Sequence, residues 1–177
     1  MPHYHRGTWT LPLSLLVCLF LVSLAAASPA AAEAHKISGT AKVMAVLSQT
    51  IMSLGDKPGH EVGLIRHLEL DSSSDPGFNN IEYDVVETTD YVTGSGTHRG
   101  YRISTVPGGD KLNSAYEGTT RVVARPGAFP DITFEGKWWF TGGSGKFQGI
   151  TGGGTYKGQA TPAGVAWEWQ GEYEVKK

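Results

Sequence analysis

From Ile37 onward the chain alternates apolar and polar residues in short runs, separated by clusters of Gly, Pro, Asp and Asn. A period of two puts successive side chains on opposite faces of a strand. The pattern predicts eight strands, over residues 37–51, 60–70, 81–93, 97–106, 111–124, 131–140, 145–159 and 164–175. No run carries a helical period. The last run alternates most cleanly. Val165, Trp167, Trp169, Tyr173 and Val175 fall on one face, and Ala166, Glu168, Gln170, Glu172 and Glu174 on the other.

The links between the runs are short and rich in turn formers, such as Gly94-Ser95-Gly96 and Arg125-Pro126-Gly127. Short links make sequential strands antiparallel neighbours. The stretch 141–158 has eight glycines among its 18 residues. Glycine inside a strand marks a bulge, a sharp bend or a close approach of backbone. Many strands with sharp bends predict an all-β, eight-stranded antiparallel up-and-down barrel, which is wide enough for one small ligand. A β-sandwich is the alternative. Gly145-Lys146 is followed by Phe147 and more glycine, not by Ser or Thr and a helix, so a phosphate-binding loop does not fit.

The N-terminus changes the picture of location. A weakly basic lead (His3, His5, Arg6) precedes an apolar stretch over 11–27 and a small-residue tail ending Ala32-Glu33-Ala34. This is the layout of a secretory signal peptide, expected over 1–34, with a single domain over 35–177. The expected localisation is secreted or periplasmic. Arg6 and Glu33 are the only charges in the leader, so the net charge of −2 is unchanged without it. A balance so close to neutral gives no electrostatic footprint for nucleic acid. Cys18, the sole cysteine, lies in the leader, so the domain has neither disulfide nor thiolate chemistry.

Alternation also nominates lumen residues. It predicts inward faces carrying His60, Val62, Leu64, Arg66, Leu68 and Leu70 on the second strand, and Ile81, Tyr83, Val85 and Glu87 on the third. On the fourth it predicts Thr97, Arg99, Tyr101 and Ile103, with His67 and His98 facing out. Leu112, Ser114, Tyr116 and Val122 follow on the fifth, and Ile132, Phe134, Trp138 and Phe140 on the sixth. A buried arginine needs a partner, and Glu87 is the candidate for Arg66 or Arg99. Two readings stay open: an ion pair that plugs the barrel, or a catalytic group in which Arg66 or Arg99 receives a carboxylate or enolate oxygen while Glu87 or a tyrosine moves a proton. Trp138, Trp167, Trp169, Tyr83, Tyr101, Tyr116 and His60 are the candidate ligand-binding residues, the rings walling an apolar cavity. The histidines lack metal-ligand spacing, so no metal is expected. Trp139 alternates outward and points to a subunit contact, making a homo-oligomer through the outer barrel face a further expectation.

The TGGSGKFQG block at 141–149 resembles the Gly-rich hairpin of allene oxide cyclases, and Ser53-Leu54-Gly55-Asp56 resembles the SLGD turn after that family's first strand. Plant dirigent proteins carry a related hairpin, and the strand spacing over about 37–177 is similar to bacterial exported proteins of this barrel type. The resemblance implies an eight-stranded barrel with an apolar cavity. In the plant cyclases that cavity rearranges an unsaturated epoxide without a cofactor, using a Glu and an Asn on the first strand. Here that strand offers Ala41, Val43, Met44 and Ala45 instead, and Pro58 only approximates the family's proline. The resemblance therefore implies binding of a small apolar or amphipathic molecule, with no cofactor. The alternative is a cofactor-independent isomerase or cyclase acting in the same cavity.

Overall fold

The computed structural model describes His3, residues 33–106 and residues 108–176. Apart from His3, Glu33 and Ala34, the expected signal peptide lies outside the described residues. The strands are β1 (His35–Ser53), β2 (His60–Ser73), β3 (Ile81–Val92), β4 (Ser95–Thr105), β5 (Lys111–Val123), β6 (Asp131–Gly143), β7 (Ile150–Thr161) and β8 (Gly164–Val175). Each pairs antiparallel with its sequence neighbour, and β1 pairs with β8, so the sheet is a closed barrel. The predicted all-β, eight-stranded antiparallel barrel is thus the observed fold, and not the sandwich. Closure runs through eight residue pairs, from His35 opposite Tyr173 to Lys42 opposite Ala166.

Two of the links contain short helical turns. The segment 71–80 contains a 3-10 turn, Pro76–Phe78, with Asp75 as its N-cap: Asp75 Oδ1 accepts from the Gly77 amide at 2.8 Å. A second 3-10 turn, Gly145–Phe147, occupies the start of the predicted seventh strand, which begins only at Ile150. Both turns lie at the end of the barrel where β2 leads to β3 and β6 to β7. Each drops a phenylalanine into the interior. Phe78 and Phe147 stand 5.5 Å apart, and Phe78 also meets Tyr173 at 4.8 Å and Phe140 at 5.9 Å. This aromatic cluster is the floor of the barrel.

Beyond Lys42, β1 pairs with β2 alone. It carries two bulges there, between Val43 and Ala45 and between Val46 and Ser48. An extra residue at each bulge shifts the facing pattern. Val46 therefore joins the lumen, while Ala45 and Leu47 are exposed. Met44, Leu47, Ile51, Met52 and Leu64 leave this arm of the molecule with an apolar surface.

The largest departure from the predicted faces is in β2 and β4, where inside and outside are exchanged. Leu64, Tyr101 and Ile103 are exposed, at 53%, 65% and 55%. His67, Glu69, Asp71, His98 and Arg102 are inside instead. Large aliphatic side chains mark the core only when the opposite face has nothing better to bury, and here a saturated ionic network takes that place.

Candidate functional site

The lumen encloses about 430 Å³. Its floor is the phenylalanine cluster. At the other end Val46, Val122, Ile132, Ala160 and Val165 line it while remaining partly or largely exposed, and they form the mouth. Between floor and mouth stand aromatic rings and three polar assemblies.

The first assembly crosses from β2 to β4. Arg102 Nε donates to Glu69 Oε2 at 2.7 Å, and a second guanidinium nitrogen donates to Asp71. The guanidinium carbon lies 3.9 Å above the Tyr83 ring centroid, a cation–π contact. Glu69 also meets His67 Nε2 at 2.8 Å. Burial works to raise Glu69, but Arg102 and His67 outweigh it and hold the carboxyl below its ordinary range. Burial pushes Asp71 up to about 6, only partly opposed by Arg102 and reinforced by Glu69.

The second assembly is a dyad. The Tyr116 hydroxyl donates to Glu87 Oε2 at 2.6 Å. Burial raises Glu87 above the usual carboxylate range, with the Tyr116 bond acting the other way. Burial and the Glu87 charge keep the Tyr116 phenol protonated. The geometry depends on an absent side chain. Gly100 lies between the two on β4, opposite Tyr116 on one side and Glu87 on the other. A Cβ there would sit 2.5 Å from Tyr116 Cζ, so only glycine lets the ring lie across the strand.

The third assembly repeats this device. Tyr156 on β7 reaches over Gly136 and Gly118 to His98 on β4, with 2.6 Å between its hydroxyl and His98 Nε2. His98 Nδ1 meets Thr120 Oγ1 at 3.0 Å, and Thr120 Oγ1 meets the Tyr91 hydroxyl at 2.9 Å. Burial lowers His98 to about 4, so its ring is neutral near pH 7. A neutral ring accepts at one nitrogen and donates at the other, so the Tyr156 hydroxyl donating to Nε2 fits Nδ1–H donating to Thr120.

A pH dependence follows. The unfolded chain takes up a proton on His98 below its ordinary 6.5, whereas the folded chain resists until about 4. Stability contributed by His98 is therefore lost as pH falls through that window. Asp71 acts with the opposite sign. Between its ordinary 3.8 and about 6 the folded chain holds a proton that the unfolded chain has released, so stability falls as pH rises there. Urea unfolding of wild type and His98→Gln at pH 7 and 4.5 isolates the first effect. The wild type's advantage is expected to shrink at pH 4.5, and an unchanged difference would contradict the assignment.

Among the nominated residues, Glu87, Tyr83, Tyr116, Trp138, Trp167 and Trp169 line the lumen. Trp138 and Trp169 meet edge to face at 5.9 Å. Four others do not join them. Arg66 is on the outer face, paired with Asp84 at 2.5 Å, and Arg99 is exposed, with Nε 3.4 Å from Thr88 Oγ1. Neither reaches Glu87, because β2 and β4 present their odd-and-even faces the other way round. Tyr101 is exposed for the same reason. His60 lies at the β1–β2 turn, held between Asp56 at 2.6 Å and Asp90 at 2.9 Å, outside the lumen lining. Bonds to Asp90 and Asp56 raise its pKa. Sequence reasoning missed His67, Glu69, Asp71, His98, Arg102 and Tyr156. Among the described residues, no three His, Cys, Asp or Glu side chains are arranged to hold a metal ion.

No family model matches the chain, and no curated protein does. Among solved structures it is similar to the pterocarpan synthase dirigent protein GePTS1, at 11% identity over 82% of this chain and 87% of that one, with a TM-score of 0.46.

Proposed function

We propose that this barrel holds a small apolar or amphipathic molecule in its lumen, and that the chain is exported. The observation that carries the first part is the cavity itself. About 430 Å³ lies within the range of small-molecule sites. It has an aromatic wall, polar groups gathered into hydrogen-bonded assemblies, one closed end and one open end. A barrel serving only as scaffold gains nothing from leaving that volume unfilled, since unfilled core space costs stability. Trp138, Trp167 and Trp169 report on occupancy. Titration with a hydrophobic ligand is expected to change tryptophan emission and to saturate at one ligand per chain. A linear, unsaturable change would sink the reading. Export rests on the leader sequence. Mass spectrometry of the secreted product is expected to find a chain beginning at His35, and an intact leader would argue against it.

A second reading, a cofactor-free isomerase or cyclase, is favoured by Glu87. Its carboxyl lines the lumen and its proton affinity is raised, as a general base near neutral pH requires. Tyr116 fixes its orientation through one hydrogen bond. Glu87→Gln keeps the shape and the acceptor for Tyr116. If the barrel is an enzyme, this change is expected to abolish turnover while affinity for an uncharged ligand persists. A fully active Glu87→Gln variant would exclude Glu87 as the base.

A further inference from the structure

We propose that the lumen is selective for a protonated amine carried on an apolar body. This rests on the lumen being a ligand site, as argued above. The support is the charge pattern of its wall. Three carboxylates line it, Glu69, Asp71 and Glu87, against one guanidinium, Arg102, and no lysine. Arg102 is already held by Glu69 and Asp71, with Tyr83 covering its face, so no cation remains to receive an anionic ligand. The lumen histidines do not supply one: His67 is engaged with Glu69, and His98 bonds to Tyr156 and Thr120.

Glu87 stands apart from that network. Its hydrogen-bond partner is the Tyr116 hydroxyl, and among the described residues no Lys or Arg is within ion-pair reach. A carboxylate can accept about four hydrogen bonds, so most of its capacity is unused. Phe134, Tyr156, Tyr91 and Trp167 line the same cavity, and aromatic rings attract a cation most strongly when it is desolvated. An ammonium group beside Glu87 would meet both a counter-charge and rings. A carboxylate ligand would instead meet three acids. Binding the ammonium favours ionised Glu87, so a Glu87 carboxyl that is protonated beforehand releases its proton to solvent. Burial already raises that carboxyl's proton affinity. Amine affinity should therefore climb as rising pH ionises Glu87, with His67 favouring and Glu69 opposing that ionisation.

The test is calorimetric titration of the barrel with 1-naphthylmethylamine, 1-naphthalenemethanol and 1-naphthoic acid, three probes of one shape and different charge. The amine is expected to bind at least about tenfold tighter than the alcohol, the scale of one charge-assisted hydrogen bond, and the acid weakest. Glu87→Gln should erase the amine's advantage over the alcohol. An amine no tighter than the alcohol, or an acid as tight as the amine, overturns the selectivity and leaves the lumen as a ligand site. Failure of all three to bind overturns both.

Discussion

Arg102→Met is expected to destabilise the barrel by about 3–5 kcal/mol at pH 7, the usual cost of breaking a buried ion pair from one side. Methionine fills much of the space above Tyr83, so the loss is electrostatic rather than a matter of volume. Glu69 and Asp71, 3% and 4% exposed, would be left without a cation in the interior. For a domain of this size the change corresponds to a fall in Tm on the order of 10 °C. The sign of its pH dependence is specific. Without Arg102 both carboxyls prefer protonation when folded, so the folded chain binds more protons than the unfolded one above about pH 4. The variant should therefore recover stability as pH is lowered from 7 towards 5. Adding Glu69→Gln and Asp71→Asn should restore most of the loss at pH 7. A single variant with wild-type stability at pH 7 would show that the network does not hold the fold.

Gly100→Ala is the second large effect. The nearest atoms to a Cβ at this position all belong to Tyr116, at 2.5 to 2.6 Å. The backbone is not the obstacle, so the added methyl must push the ring away from Glu87. Overpacking costs about 1–3 kcal/mol, and loss of the hydrogen bond to a buried carboxyl adds about 1–3 more. A total of about 3 kcal/mol is expected by urea denaturation. A double-mutant cycle provides the control. In a Tyr116→Ala background the clash is gone, so Gly100→Ala should cost less than about 1 kcal/mol. Equal costs in both backgrounds would mean that Tyr116 does not lie across Gly100.

These two positions also show what could be read in the sequence. Strand count, antiparallel order and closure follow from the period-two pattern and the Gly-rich links. The inner faces of β3, β5, β6 and β8 follow too, because their largest apolar side chains point to the core. On β2 and β4 the same rule fails. There the core is ionic, and Leu64, Tyr101 and Ile103 are turned to the outside. A usable signal was present in each strand. Gly63 and Gly100 are interior glycines whose missing side chains make room for Thr89 and Tyr116 on the lumen side. Taken as markers of close approach rather than of bends, they place the odd residues of β2 and the even residues of β4 inside. Arg102 and His98 then fall in the lumen without any structure. The reach of Tyr156 across two strands to His98 was not legible, since it depends on register. The burial of Phe78 and Phe147 was hidden because Pro76–Phe78 reads locally as a polar loop and Gly145–Phe147 as the start of a strand.

The phenylalanine cluster makes the barrel a cup rather than a pipe. Whatever goes in must come out by the same rim, past Val46, Val122, Ile132, Ala160 and Val165. Arrival and departure then share one barrier. Narrowing the rim slows both by the same factor, and the equilibrium hold on the guest is untouched.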